Sequence, residues 1–254
     1  MSISLNDIRL AYGPRVLLEH VSVEIPGGAL TALIGRNGTG KSSLLRVLAG
    51  LSPASGGEVR LCGNSVSALS ARRLAATVAF VATDKVRIDN LACEDLVALG
   101  RAPYTDWIGR LQEADRAVVR RALETVGLSG FARKPLNTLS DGECQRAMIA
   151  RALAQDTPVI LLDEPTAFLD LPNRYALASL LRRLAHDEGK CVLFSTHDLD
   201  IALSLCDSVL LVDTPSLHFL PAAEVAASGL IERLFDGAGV AFDPVRQRIF
   251  DNKR

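Results

Sequence analysis

Apolar and polar positions alternate with a period of two along the first part of the chain. Ile3, Leu5, Ile8 and Leu10 open the pattern, and Val16–Leu18 and Val21–Ile25 continue it. Such alternation predicts half-buried strands, and Pro26-Gly27-Gly28 ends them with a turn. The run Ala29-Leu30-Thr31-Ala32-Leu33-Ile34 is apolar almost throughout and predicts a fully buried strand. The period then lengthens. Leu44, Leu48 and Leu51 recur at helical spacing until Ser52-Pro53-Ala54-Ser55-Gly56-Gly57 breaks the pattern. Strands are predicted again near Glu58–Cys62 and Val78–Val81.

Between about residues 90 and 135 the strand signals vanish. Glu94–Leu99 and Glu113–Val126 read as helices, the second with Ala117, Val118, Ala122, Leu123 and Val126 on one apolar face. Asp207–Asp213 reads as a further strand. Short apolar runs return at Val159–Leu162 and Val192–Phe194, with long amphipathic segments between. They predict buried parallel strands in an α/β core. Ala222–Phe235 reads as a helical piece before a polar end. The expected organisation is therefore a single α/β domain over 1–254. Its core covers about 1–89 and 136–254, begins with an N-terminal antiparallel β subdomain, and accepts a helical subdomain at about 90–135.

Composition narrows the class. The 254 residues are 48% hydrophobic, enough for a substantial core, and the net charge is −1. That charge offers no electrostatic case for nucleic acid or an anionic lipid surface. Five cysteines stand far apart with no CxxC pair, and no signal-peptide pattern precedes them. This predicts plain thiols in a reducing cytoplasm and disfavours zinc. No apolar run approaches the roughly 20 residues of a membrane helix.

The chemistry begins at Gly35-Arg36-Asn37-Gly38-Thr39-Gly40-Lys41-Ser42, which fits G-x-x-x-x-G-K-[ST] at every fixed position. A strand-like run leads in and a helix-like run, Ser43–Ala49, leads out. Glycines let the backbone turn its N–H groups toward a phosphate, and the positive end of the following helix faces the same anion. Lys41 can add a full charge to the β- and γ-phosphates, and the Ser42 hydroxyl can ligate Mg²⁺. Nucleoside triphosphate binding follows from this segment alone. A second segment supports it. Val159–Leu162 ends in Asp163-Glu164, so a buried strand delivers two carboxylates to the edge where α/β sheets bind ligands. Asp163 can hold Mg²⁺ through water, and Glu164 can polarise an attacking water.

Leu139-Ser140-Asp141-Gly142-Glu143-Cys144-Gln145-Arg146 opens a helix. Ser140 is a good N-cap, and Glu143 stands where a capping-box acid would. Capping alone explains those residues. The segment also resembles the LSGGQ signature of the ATP-binding cassette (ABC) ATPases, with Asp141 for the first Gly and Glu143 for the final Gln. Asp163-Glu164-Pro165-Thr166 resembles that family's Walker B segment, Ala167-Phe168-Leu169-Asp170 its D-loop, and Ser195-Thr196-His197-Asp198 its switch histidine. Tyr12 stands where the family stacks an aromatic ring on adenine. The resemblance runs from Leu5 to about Asp213. It implies a P-loop NTPase cassette with a RecA-like core. It implies ATP and Mg²⁺ held by Tyr12, the loop Gly35-Arg36-Asn37-Gly38-Thr39-Gly40-Lys41-Ser42-Ser43, and Asp163. It implies catalysis by Lys41, Glu164 and His197, and a homodimer in which Ser140, Gly142 and Asp170 complete the site. His20, His186 and His218 read as structural.

A further position departs from the family. Where the family carries Gln after the strand Val78–Ala82, this chain has Thr83 and then Asp84. Thr83 could reach the metal through a water, Asp84 could substitute, or the position could be dispensable.

The absence of a predicted span argues against fused exporters, and a single cassette argues against the paired relatives that act on ribosomes. Ser42 and Ser140 lie too close in sequence for the coiled coils of DNA-repair relatives. Ala98-Leu99-Gly100-Arg101-Ala102-Pro103-Tyr104, the variant signature and Thr166–Pro172 resemble the importer subfamily that serves iron–siderophores, haem and cobalamin. That likeness implies two permease subunits, indirectly a periplasmic or extracellular binding protein, and a place on the cytoplasmic face of the cell membrane. It leaves the cargo open. A soluble cassette working without a permease, such as one assisting metal-cluster assembly, is the alternative. A non-hydrolysing scaffold is a third, against which Glu164 and His197 argue.

Overall fold

A computed structural model of the chain describes residues 1–83, 88–236, 239–246 and 248–251. The alternating N-terminal segment forms β1 (Ser2–Tyr12) and β2 (Arg15–Pro26), an antiparallel pair with β-bulges. The apolar run forms β3 (Leu30–Gly35), buried at every position, and the phosphate-loop pattern leads from it into α1 (Lys41–Leu48). Then come β4 (Gly56–Leu61), β5 (Asn64–Ser65), α2 (Ala71–Ala75) and β6 (Val78–Val81). The helical stretch contains α3 (Cys93–Ala98), α4 (Glu113–Thr125) and α5 (Asp141–Ala154). The chain continues through β7 (Val159–Leu162), α6 (Leu171–Glu188), β8 (Cys191–Ser195), α7 (Leu199–Ser204), β9 (Ser208–Asp213) and β10 (Ser216–Pro221). It ends in α8 (Ala222–Val225), α9 (Leu230–Leu234) and a hairpin of β11 (Val240–Asp243) and β12 (Arg248–Asp251).

The main sheet has the order β10-β9-β3-β8-β7-β6. It is parallel throughout except for β10, which runs antiparallel to β9. A second, antiparallel sheet has the order β2-β1-β4-β5. Alternate residues of the main strands divide between two buried clusters. Leu33, Leu161, Leu193 and Leu210 face α1 and the antiparallel sheet. Ala32, Ile34, Leu162, Phe194 and Leu211 face the helices on the other side, including α3, α4 and α5. A strand buried on both faces needs no polar alternation, which is why these segments read as continuous apolar runs. Among the described residues no helix is long and apolar enough to cross a membrane.

Some local expectations are corrected. Leu51 lies beyond the end of α1 and is exposed, because Gly50 at φ 69° has already turned the chain. Ala117 is exposed and Val119 takes its place, since residues 115, 119, 122, 123 and 126 form the inner stripe of α4. The helical piece at 222–235 is broken in two by Gly229 at φ 73°. The polar end contains a hairpin, and β10 was not anticipated.

Candidate functional site

Three parallel strands, β3, β7 and β8, end at one edge of the main sheet, and the site is built there. After β3 the chain turns through Gly38 (φ 75°) and Gly40 (φ 100°), the latter capping α1. A side chain at Gly40 would be strained in that backbone conformation and would press on Leu17. Thr39 Oγ1 donates to the Arg36 carbonyl at 2.8 Å, and the Arg15 guanidinium donates to the Gly38 carbonyl at 2.9 Å. The loop is thus held from inside and from β2. Arg36 donates to the Asp236 carbonyl near α9.

Lys41 is buried, and its ammonium donates to the carbonyls of Gly35 (2.9 Å) and Arg36 (3.2 Å). Burial holds its pKa below the usual lysine value, with Glu164 and Asp163 pulling the other way. Tyr12, Asn37, Gly38, Gly40, Lys41, Ser42, Ser43 and Glu164 line one cleft of about 320 Å³. The Ser43 hydroxyl lies 3.4 Å from the Tyr12 hydroxyl at its rim. The cleft therefore offers loop amides, an ammonium, hydroxyls and a carboxylate beside an exposed aromatic ring. That set suits a nucleoside triphosphate, and the hard oxygen donors of Ser42 and Asp163 suit Mg²⁺.

At the end of β7 the Asp163 carboxylate is buried and accepts from the Ser195 hydroxyl of β8 at 2.7 Å. The same Ser195 oxygen accepts from the Glu164 N–H at 2.8 Å. Glu164 adopts φ 47°, a left-handed conformation unusual for a residue with a side chain. Its carboxylate meets His197 Nε2 at 2.8 Å. The register of β7 on β8, Leu162 opposite Phe194, makes these contacts possible. Thr83 is close by, but its hydroxyl donates to the Asp163 backbone carbonyl at 2.9 Å. Asp84 lies outside the described residues.

Ser140 and Gly142 are not among the residues lining this cleft. Ser140 caps α5 in a closed capping box. Its N–H (2.7 Å) and hydroxyl (2.8 Å) both donate to Glu143, whose own N–H returns to the Ser140 oxygen. These donors hold the Glu143 carboxyl below its ordinary pKa, the Ser140 backbone bond contributing most. A side chain at Gly142 would meet Leu169 at 3.3 Å, so the start of α5 packs closely on the segment that follows Glu164. Asp170 caps α6 and accepts from the Asn173 backbone and side-chain amides.

Sequence reasoning assigned Ser195 no role. The available signal was a hydroxyl residue at the end of a fully apolar strand, two positions before His197. The carbonyl contact of Thr83 was also missed.

Comparison with known proteins gives a consistent family. The family described as ABC transporter matches residues 18–167. The iron(3+)-hydroxamate import ATP-binding protein of Bacillus subtilis is 37% identical over 201 residues, 79% of this chain and 75% of that one. A cobalamin import ATP-binding protein of Halobacterium salinarum is 38% identical over 240 residues, covering 94% of this chain and 59% of that longer one. Among solved structures, the dimeric post-hydrolysis state of the cassette MJ0796 bound to ADP and Pi superposes with a TM-score of 0.77. It has 26% identity and covers 87% of this chain and 98% of that one.

Proposed function

We propose, because this chain belongs to the ABC transporter family, that it is the ATP-hydrolysing subunit of an importer for an iron–siderophore, haem or cobalamin. The names of its relatives support an iron(3+) chelate or cobalamin as cargo. The observation that carries the reading is the pairing of Glu164 with His197 at 2.8 Å, on the edge that also holds Lys41 and Asp163.

In this reading the amides of Gly35–Ser43 and the ammonium of Lys41 hold the phosphates, and Tyr12 stacks on the base. Ser42 and, through water, Asp163 would hold Mg²⁺, which when bound neutralises phosphate charge. Glu164 orients a water and takes its proton as the water oxygen bonds to the γ-phosphorus. The bond from that phosphorus to the β–γ bridging oxygen breaks. His197 steadies the γ-phosphate as charge shifts toward the leaving group. A second copy closes the nucleotide with its Ser140, Gly142 and Asp170, an arrangement supported by the dimeric ADP-bound neighbour. Two permease subunits, docking near Leu99–Tyr104, hold the pair at the cytoplasmic face of the membrane.

Glu164→Gln tests the chemistry. ATP binding should persist while kcat falls at least about 100-fold; full turnover in that variant overturns the assignment. Capture from detergent-solubilised membranes tests the setting. A polytopic partner is expected, and recovery of soluble partners alone overturns the importer reading.

A further inference from the structure

The peptide linking Asp163 to Glu164 is gripped on both sides. Its carbonyl, on Asp163, accepts from the Thr83 hydroxyl just beyond β6 at 2.9 Å. Its N–H, on Glu164, donates to the Ser195 hydroxyl at the end of β8 at 2.8 Å. Ser195 passes its own hydrogen to the Asp163 carboxylate at 2.7 Å. The strands that flank β7 thus each send one hydroxyl to the same peptide plane. Immediately after it, Glu164 has φ 47°. A left-handed residue with a side chain is strained and persists only where its surroundings over-determine it. Here the over-determination is visible, and its result is the 2.8 Å contact of Glu164 with His197.

We propose that Thr83 is a positioning residue for Glu164: its hydroxyl fixes the Asp163–Glu164 peptide and, through it, the aim of the carboxylate that activates water. It does not act on the metal, directly or through a water. This rests on Glu164 being the base. It also replaces the water-mediated role that the sequence suggested. What the geometry shows of the Thr83 hydroxyl is its hold on this backbone carbonyl, and the Mg²⁺ dependence below separates that role from one at the metal.

The test compares Thr83→Val, Thr83→Ser and wild type. Val keeps the branched shape and removes the donor; Ser keeps the donor. In Thr83→Val, kcat should fall about five- to tenfold, the order expected for one lost neutral hydrogen bond. The KM for ATP and the Mg²⁺ concentration for half-maximal rate should stay within about twofold. Thr83→Ser should recover most of the loss. A crystal structure of Thr83→Val should show Glu164 moved out of the left-handed region and its contact with His197 opened. Wild-type kcat in Thr83→Val overturns the proposal. So does a loss accompanied by an approximately tenfold higher Mg²⁺ requirement, which would put the hydroxyl in the metal's shell. So does a loss that Ser fails to recover. Wild-type protein without ATPase activity would instead sink the assignment of Glu164 and of the function.

Discussion

The sheet edge and the helical arm (α3–α5) hold their polar groups in opposite ways. Around Asp163 and Glu164, at the end of β7, the side-chain bonds come from neighbouring segments far away in sequence. Ser195 reaches Asp163, Thr83 reaches the Asp163 carbonyl, and His197 reaches Glu164, all over sequence separations of 32 to 80 residues. At the start of α5 the bonds are local, for Ser140 and Glu143 serve each other across three residues. At longer range the arm is held by a shared apolar core, by backbone bonds such as Cys93 N–H to the Lys134 carbonyl, and by one nearly buried ion pair. Arg101 meets Asp115 at 2.9 Å and also donates to the Ala154 carbonyl, tying α4 to the end of α5. A network that depends on strand register keeps atoms in one arrangement, as chemistry requires. A local cap keeps its shape wherever its helix goes, which suits a group presented to a second copy.

The sharpest way to break this contrast is Asp115→Asn. It leaves Arg101 almost buried without its charge partner, and stability should fall by about 3 kcal/mol. Thermal unfolding checks this, with nucleotide affinity measured alongside. The contrast predicts nearly unchanged affinity, and a large loss of affinity would show that arm and edge are one unit. Ser195→Ala works on the other side. It removes a fully buried hydroxyl that serves both Asp163 and the Glu164 N–H, so it should cost about 2 kcal/mol. It should also lower kcat, whereas a variant as active as wild type would leave the cross-strand network without a catalytic purpose. The smallest effect concerns pH. Glu143 has its folded pKa below the ordinary 4.5, so the capping box contributes fully above that pH. Its contribution is lost as pH falls through the lowered folded value. Melting curves of wild type and Glu143→Gln should therefore differ at neutral pH and converge as pH falls through the lowered folded value. A constant difference would mean that the charge is not what closes the box.

The strands of the main sheet were legible because burial on both faces leaves apolar runs that little else produces. β10 was missed because Ser216-Leu217-His218-Phe219-Leu220-Pro221 is half-exposed at the sheet edge and ends in proline. The β11–β12 hairpin was missed because β12 is exposed at every position, leaving no burial pattern to read. In the site, Lys41, Asp163, Glu164 and His197 were legible because each belongs to a short motif whose spacing carries its chemistry. Ser195 and the contact of Thr83 were not, because their partners sit on a neighbouring strand. Only the observed register, Val81 opposite Leu162 and Leu162 opposite Phe194, brings them together. The strained backbone at Glu164 has no signature in residue type at all.

The hydrogen on the Ser140 hydroxyl is already committed to a carboxylate of its own chain. An arriving γ-phosphate would compete for that same hydrogen. Engagement of a second copy would then exchange one negative acceptor for another, with no net bond created or destroyed at this serine. The Glu143 carboxylate would then lose one donor and face a second negative charge, a cost that favours reopening of the clasp.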